Sequence, residues 1–276
     1  MRTALLQLNV TDEPEENLPV TRAMIDRAAA DGAGFVLTPE VTNCLSASRT
    51  WQRHVLRSEE DDITLDGLRD TAARHGIWLL IGSLALATDD DDGRFANRSF
   101  LIDPTGGVVA RYDKIHMFDV DVSDSETYRE SAGYRPGAEA VCAYPPFGVV
   151  GMSICYDIRF PHLYRRLAQG GAQILTVPSA FSPITGAVHW RALLQARAIE
   201  CGAFVLAPAQ CGTHQAQRGR ARRTYGHSLA VSPWGEVLAD GGEDPGITYL
   251  DLDMAAVAEA RARVPSLRHD REFGGP

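Results

Sequence analysis

The sequence predicts a mixed α/β fold built from two similar halves. Short apolar runs of strand length alternate with segments whose apolar residues recur at helical spacing. Glycines stop several of the helical segments. One punctuation pattern also occurs twice: GAGFVLTPE at 32–40 and GAQILTVPS at 171–179. Each is a glycine stop, an apolar strand, a proline and a polar residue. Two βαβ-like halves with this layout suggest an internally pseudo-symmetric sandwich.

The elements follow in order. Residues 3–9 read as a buried strand and 14–30 as a helix, with Leu18, Thr21, Ile25 and Ala28 on one face. Residues 35–38 form a strand that ends at Pro39-Glu40. Residues 63–75 read as a helix and 77–87 as a long strand. The four aspartates of 89–93 mark a solvated hairpin tip. Strands 97–103 and 108–112 pair around Pro104-Thr105-Gly106-Gly107. In the second half, 149–154 is a strand, 160–169 a helix and 173–177 a strand. Residues 187–201 form a helix with Trp190, Leu193, Leu194, Ala198 and Cys201 on its apolar face and Arg197 lodged among them. Strands at 203–209, 227–232 and 247–252 precede a last helix over 254–263.

A hydrophobic content of 45% in 276 residues suffices for a large core. No linker interrupts the pattern, so a single domain over 1–265 is expected, followed by a polar tail over 266–276. The net charge of −9 argues against nucleic acid and anionic membranes as partners. Five cysteines, with no C-x-x-C pair, argue against a disulfide framework or a zinc knuckle. No apolar run reaches membrane-spanning length, and the first ten residues are too short for a signal peptide. Together these features predict a soluble, cytoplasmic protein.

Cys155 is the most informative residue. It ends the apolar run Val149–Ile154 and precedes a helix start marked by Pro161. A strand that turns at once into a helix sets its side chain on an elbow, beside unpaired N–H groups that favour thiolate. Such a sulfur can attack a carbonyl carbon and have the oxyanion held. A buried structural cysteine fits the local sequence equally well. Glu40, Cys155 and Ser179 all fall at the carboxyl ends of strands, where ligands collect in α/β sheets. Glu40 could also cap a helix or sit in a solvated turn. Lys114 taken alone reads as a surface lysine.

Three segments taken together are more specific. LTPE at 37–40, YDKIHMFD at 112–119 and GMSICYDIRFP at 151–161 resemble, in that order, the signature segments of the nitrilase, or carbon–nitrogen hydrolase, superfamily. The resemblance runs over nearly the whole chain. PSAFSPITGAVHW, QARAIE, APAQCG and YGHSLAVSPWGEVLAD look most like the deaminated glutathione amidase branch, and less like the omega-amidases that act on 2-oxoglutaramate. The resemblance implies a four-layer-forming α-β-β-α sandwich and pairing through a helical face, hence a homodimer or higher homo-oligomer. It implies that Cys155 is the nucleophile and Glu40 the general base. Lys114 and the backbone N–H of Tyr156 would stabilise the oxyanion. Glu130 matches a second family glutamate that orients Lys114, with Glu126 as its rival. Arg159 would grip a substrate carboxylate, and Phe181 and Thr185 would line the same pocket.

The chemistry fits these assignments. An amide has a poor leaving amine, so nitrogen must be protonated as sulfur attacks and water must later meet a base. Lys114 would offset the like charges of two glutamates. The expected substrate is a small α-keto-acid amide, with no cofactor and no metal. Cys155, His116 and His189 lack ligand spacing. His116 and Phe118 fit packing at the pocket rim. The basic stretch His214–Thr224 reads as a solvated, mobile surface loop, or else as a strip that draws in a polyanionic acyl group. A catalytically idle scaffold is the alternative from another class.

Overall fold

The computed structural model describes residues 1–123 and 126–275. Chain order begins with β1 (Arg2–Gln7), α1 (Pro14–Ala30), β2 (Phe35–Leu37), α2 (Arg49–Val55), α3 (Ile63–His75), β3 (Trp78–Leu86), β4 (Ala96–Ile102) and β5 (Val108–Asp113). A ribbon follows, β6 (Asp119–Ser123) with β7 (Glu126–Arg129). Next come β8 (Cys142–Ala143), β9 (Val150–Met152), α4 (Pro161–Gln169), β10 (Ile174–Thr176), α5 (Pro183–Cys201) and β11 (Phe204–Ala207). The chain continues through β12 (Cys211–His214), β13 (Arg222–Tyr225), β14 (Leu229–Val231), β15 (Val237–Asp240), β16 (Gly246–Asp251) and α6 (Ala255–Arg263).

Two six-stranded sheets share one pairing pattern. The first runs β16-β1-β2-β3-β4-β5 and the second β8-β9-β10-β11-β14-β15. In each, strands two to four are mutually parallel and every other pair is antiparallel. β2 and β10, which belong to the two like segments of sequence, occupy the same place in their sheets. The sheets meet where Leu8 pairs with Gln210.

The period-two alternation of the first sheet explains its layers. Ala4, Leu6, Val36, Leu79 and Ile81 pack with Ile25 of α1 and Leu68 of α3. Leu5, Leu37, Leu80 and Leu101 join Val150, Met152 and Leu175 of the second sheet, and that core continues to Leu163, Leu167, Trp190 and Leu194 of α4 and α5. The layers are therefore α-β-β-α, and the mixed sandwich expected from the sequence is the fold.

Some expectations shift. The helix read from residue 187 starts four residues earlier, at Pro183, whose missing N–H is harmless in a first turn. Arg197 is buried as expected, and its Nε donates to the Ile158 carbonyl at 2.8 Å. The 214–224 stretch is not simply a solvated loop. Its ends belong to the β12-β13 ribbon, His214 is buried against the Val10 carbonyl, and Gln217 N–H donates to Asp12. The tail is partly docked: Arg165 and Gln169 donate to the carbonyls of Ser266 and Leu267.

Gly82 is the tightest point between the halves. A Cβ there would lie 2.0 Å from the Thr38 carbonyl oxygen and 2.5 Å from Pro178 Cβ. The two proline-ended strands can therefore approach only past a residue without a side chain. Gly82→Ala should destabilise the protein by more than about 2 kcal/mol through overpacking. A urea midpoint within error of wild type would refute that.

Candidate active site

Four side chains from separate stretches of chain converge at the strand ends. Glu40 follows β2, Lys114 follows β5, Glu130 follows β7 and Cys155 follows β9. Lys114 is only 2% exposed. Its Nζ donates to Glu40 Oε1 at 2.8 Å and to both carboxylate oxygens of Glu130 at 2.9 Å. Glu126 is not its partner; that carboxylate accepts from the Tyr128 hydroxyl and, at 3.5 Å, from Ser182 Oγ.

Backbone and amide donors complete the carboxylates. Ala180 N–H donates to Glu40 Oε2 at 2.8 Å and Phe118 N–H to Glu130 Oε2 at 2.6 Å. Asn97 Nδ2 donates to Glu40 Oε1 at 2.9 Å and reaches Glu130 Oε1 at 3.4 Å. Burial alone would raise the Glu40 carboxyl, but the charge and hydrogen bond of Lys114, with help from Arg222, hold it below its ordinary value. Burial likewise disfavours the Lys114 ammonium, yet Glu130 and Glu40 raise it well above the usual lysine range. The cluster therefore favours a charged Glu40 beside a charged Lys114.

Cys155 sits on the expected elbow. It has φ +48°, a left-handed conformation that is costly for any residue but glycine. Its thiol shares the cavity wall with Glu40 and feels that carboxylate's charge. One expectation is reversed here. Burial, and then the Glu40 charge, push the Cys155 thiol up, against the pull of Lys114. The helix that starts at Cys155 is a five-residue 3-10 turn, too short for a dipole that outweighs burial. The resting sulfur is a thiol with its proton-accepting neighbour in contact. Tyr156 stands in the first turn, where N–H groups lack an intrahelical acceptor.

Asp157 was not singled out in the sequence, yet it braces this turn. Fully buried, its carboxylate accepts from Ile154 N–H (2.9 Å), Tyr112 Oη (2.6 Å), His116 N–H (3.0 Å) and His116 Nδ1 (2.7 Å). It thereby ties the lysine-bearing segment to the cysteine elbow. His116 stacks on Phe160 at 3.5 Å between ring centroids, which is packing, as expected. The available signal was an acid two residues after Cys155, at a helix start. Asn97 left a weaker one, an amide within an apolar strand.

These groups open into a cavity of about 640 Å³. Glu40, Lys114, Glu130, Cys155, Tyr156, Phe181 and Thr185 all line it, as does Phe118. Arg159 does not line it. Its guanidinium lies over the Tyr156 and Phe181 rings at 5.9 and 5.5 Å, and Nη2 is 3.3 Å from His189 Nδ1. These are cation–π contacts with two rings of the cavity wall. Ser179 is buried and donates to the Val177 carbonyl, so its neighbour Ala180 supplies the contact to Glu40. Among the described residues, no three His, Cys, Asp or Glu side chains cluster as metal ligands would, and no helix is long and apolar enough to cross a membrane.

A buried glutamate-lysine-cysteine cluster between two stacked sheets defines a class of amide-cleaving hydrolase, and the chain belongs to the carbon–nitrogen hydrolase family, whose model matches residues 2–262. It is 38% identical to the deaminated glutathione amidase of Yersinia enterocolitica over 97% of this chain and 92% of that one. The C. elegans NitFhit protein superposes with a TM-score of 0.88 at 33% identity, over 98% of this chain and 65% of that longer one. A glutamate-to-glutamine mutant of the amidase from Nesterenkonia sp. AN1, solved with the acetamide moiety of fluoroacetamide added covalently at its active-site cysteine, superposes with a TM-score of 0.78 at 27% identity, over 96% of this chain and 95% of that one.

Asp157→Asn puts an amide where four donors converge. It should cost about 2–4 kcal/mol of stability and slow turnover through loss of the elbow. Unchanged urea midpoint and unchanged kcat would contradict the bracing role.

Proposed function

We propose that the chain hydrolyses a small α-keto-acid amide, deaminated glutathione foremost, through a thioester on Cys155. The observation that carries this reading is the contact of thiol, carboxylate and ammonium at the wall of one cavity. In the first half-reaction Sγ bonds to the amide carbon while the thiol proton passes to Glu40. The carbonyl oxygen becomes an oxyanion facing Lys114 and the Tyr156 N–H. Glu40 then gives that proton to the amide nitrogen, the C–N bond breaks and the amine leaves. In the second half a water gives its proton to Glu40, its oxygen attacks the thioester, and the acid leaves as sulfur regains a proton. Glu130 holds Lys114 in place throughout. The raised thiol and lowered carboxyl disfavour a standing thiolate before substrate binds.

The omega-amidase reading on 2-oxoglutaramate uses the same chemistry. The cavity volume suits the larger amide, since pockets of about 300–1,000 Å³ enclose drug-sized ligands. The relatives' names point the same way. The ratio of kcat/KM on the two amides decides, and a higher value on 2-oxoglutaramate would reverse the choice.

Our reading further takes 1–265 as one domain. It takes the protein as a cytoplasmic homo-oligomer, on five free thiols and on the exposed Ile184, Val188 and Ile199 of α5. Sedimentation would show a monomer if that last inference is wrong.

Cys155→Ala should abolish turnover, and mass spectrometry of quenched wild-type enzyme should find an acyl adduct at residue 155. Glu40→Gln should reduce kcat by about 10²–10⁴-fold and slow alkylation of Cys155 by iodoacetamide. Uniformly slow labelling of all five cysteines in wild type would favour the idle scaffold. The Glu40 carboxyl is held below its ordinary 4.5, so its proton-accepting form persists through that pH. The acid limb of kcat/KM should therefore fall below pH 4.5; a limb centred near 6 would exclude Glu40 as its source.

A further inference from the structure

Asn97, near the start of β4, touches three members of the cluster at once. Its Nδ2 donates to Glu40 Oε1 at 2.9 Å and reaches Glu130 Oε1 at 3.4 Å, and its backbone carbonyl accepts from Lys114 N–H at 2.9 Å. The residue is buried, and its Oδ1 has no hydrogen-bond partner among the described residues. A buried acceptor left unpaired is costly, so an amide that merely filled space in a strand would not be expected to keep one. Turning the amide over would set Oδ1 against the carboxylates, acceptor against acceptor. The side chain forgoes one hydrogen bond to keep its donor on the glutamates.

The donor has an effect on Glu40 that the other contacts do not. An ionised carboxylate offers about four lone-pair sites, two on each oxygen. Oε1 of Glu40 receives both Lys114 Nζ and Asn97 Nδ2 and is full. Oε2 receives Ala180 N–H and keeps one site open. Oε2 also shares that neighbour with the sulfur, because Ala180 N–H acts on the Cys155 thiol against the upward push of burial. The two oxygens of the general base are therefore not equivalent, and Asn97 makes the difference.

We infer that Asn97 is a positioning residue, which closes Glu40 Oε1 to protons and assigns every proton transfer of the reaction to Oε2. The inference rests on the amidase reading. The thiol proton goes to Oε2 as Sγ bonds to the amide carbon. Oε2 passes it to the amide nitrogen as the C–N bond breaks. Oε2 then takes a proton from water as the water oxygen attacks, and returns it to sulfur as the C–S bond of the thioester breaks. Without the Nδ2 donor, Oε1 has an open site facing residue 97, where a proton can settle away from the reaction.

Lys114, Arg222 and Cys155 also act on Glu40, Glu130 shares Lys114 with it, and Tyr134 feels its charge; the test leaves all of them in place. Asn97→Leu keeps the size of the side chain and removes the donor. A donor to the charged carboxylate lowers the Glu40 carboxyl, so its loss raises that group and activity fails at a higher pH. The acid limb of kcat/KM on deaminated glutathione should move up by about one to two pH units. At pH 7 kcat should fall about tenfold or more, with KM nearly unchanged. Asn97→Asp is the second arm. Its new carboxyl, beside two carboxylates, holds a proton and can donate as the amide did, so activity should recover at acid pH and be lost as that proton leaves. A limb at its wild-type pH in Asn97→Leu, even with a lower kcat, would overturn the inference. So would an Asn97→Asp variant no faster than Asn97→Leu at any pH. Failure of both variants to fold, seen by circular dichroism, would make the residue structural and overturn it too. The rate of Cys155 alkylation by iodoacetamide against pH reads the same limb without turnover. Wild type that cleaves no α-keto-acid amide, while that limb still shifts in Asn97→Leu, would refute the amidase reading and leave the positioning role standing.

Discussion

The structure depends on one buried ammonium. Lys114 has almost no contact with water, and an isolated charge in such a place costs several kcal/mol. Two carboxylates within 3 Å compensate, and they in turn need Ala180 N–H, Phe118 N–H and Asn97 to complete their hydrogen bonds. Lys114, Asn97 and Glu40 belong to the first sheet, Glu130 to the ribbon that follows it, and Ala180 to the second sheet. The full set of partners that offsets the burial of these charges exists only where both halves pack together.

The same constraint shapes the reactivity. A thiol beside a carboxylate cannot ionise freely, and burial adds to the difficulty. The lysine offsets part of this, but most of its charge is already engaged by the glutamates. The site is therefore poised for transfer of a proton between neighbours rather than for a standing thiolate. That places the demand on geometry. The strained Cys155 backbone and the four donors gathered by Asp157 meet it, because they hold the sulfur against Glu40 independently of substrate.

Pseudo-symmetry places the groups. Each half supplies a parallel three-strand centre whose carboxyl ends carry polar residues after a proline or a turn. Val41, just after Glu40, and Cys155 both take left-handed backbone conformations, at φ +49° and +48°. Gly82 lets the two ends come together. The β12-β13 ribbon then closes one side of the cavity with arginine, so an acidic protein gives its cavity a basic wall.

The sequence alone marked most strands of the two sheets and most helices, and the family resemblance singled out the three segments that bear Glu40, Lys114 and Cys155. Periodicity is a local property, and it missed α2 and the two ribbons. The family resemblance also put Glu130 ahead of its rival Glu126. What it could not show is which groups touch. Asp157 and Asn97 matter through partners 33 to 57 residues away, and the local signals near them do not name those partners. Arg159 lies one turn from the nucleophile and yet faces two aromatic rings, because helix spacing does not specify which side of a neighbouring ring a long side chain will take. Arg222 lies in a stretch that composition reads as solvated. Only strand pairing with Cys211–His214, more than ten residues of chain folded back against Asp12 and Val10, turns it into a wall of the cavity. Local chemistry is written in the order of residues, whereas desolvation and contact arise only when distant segments are packed together.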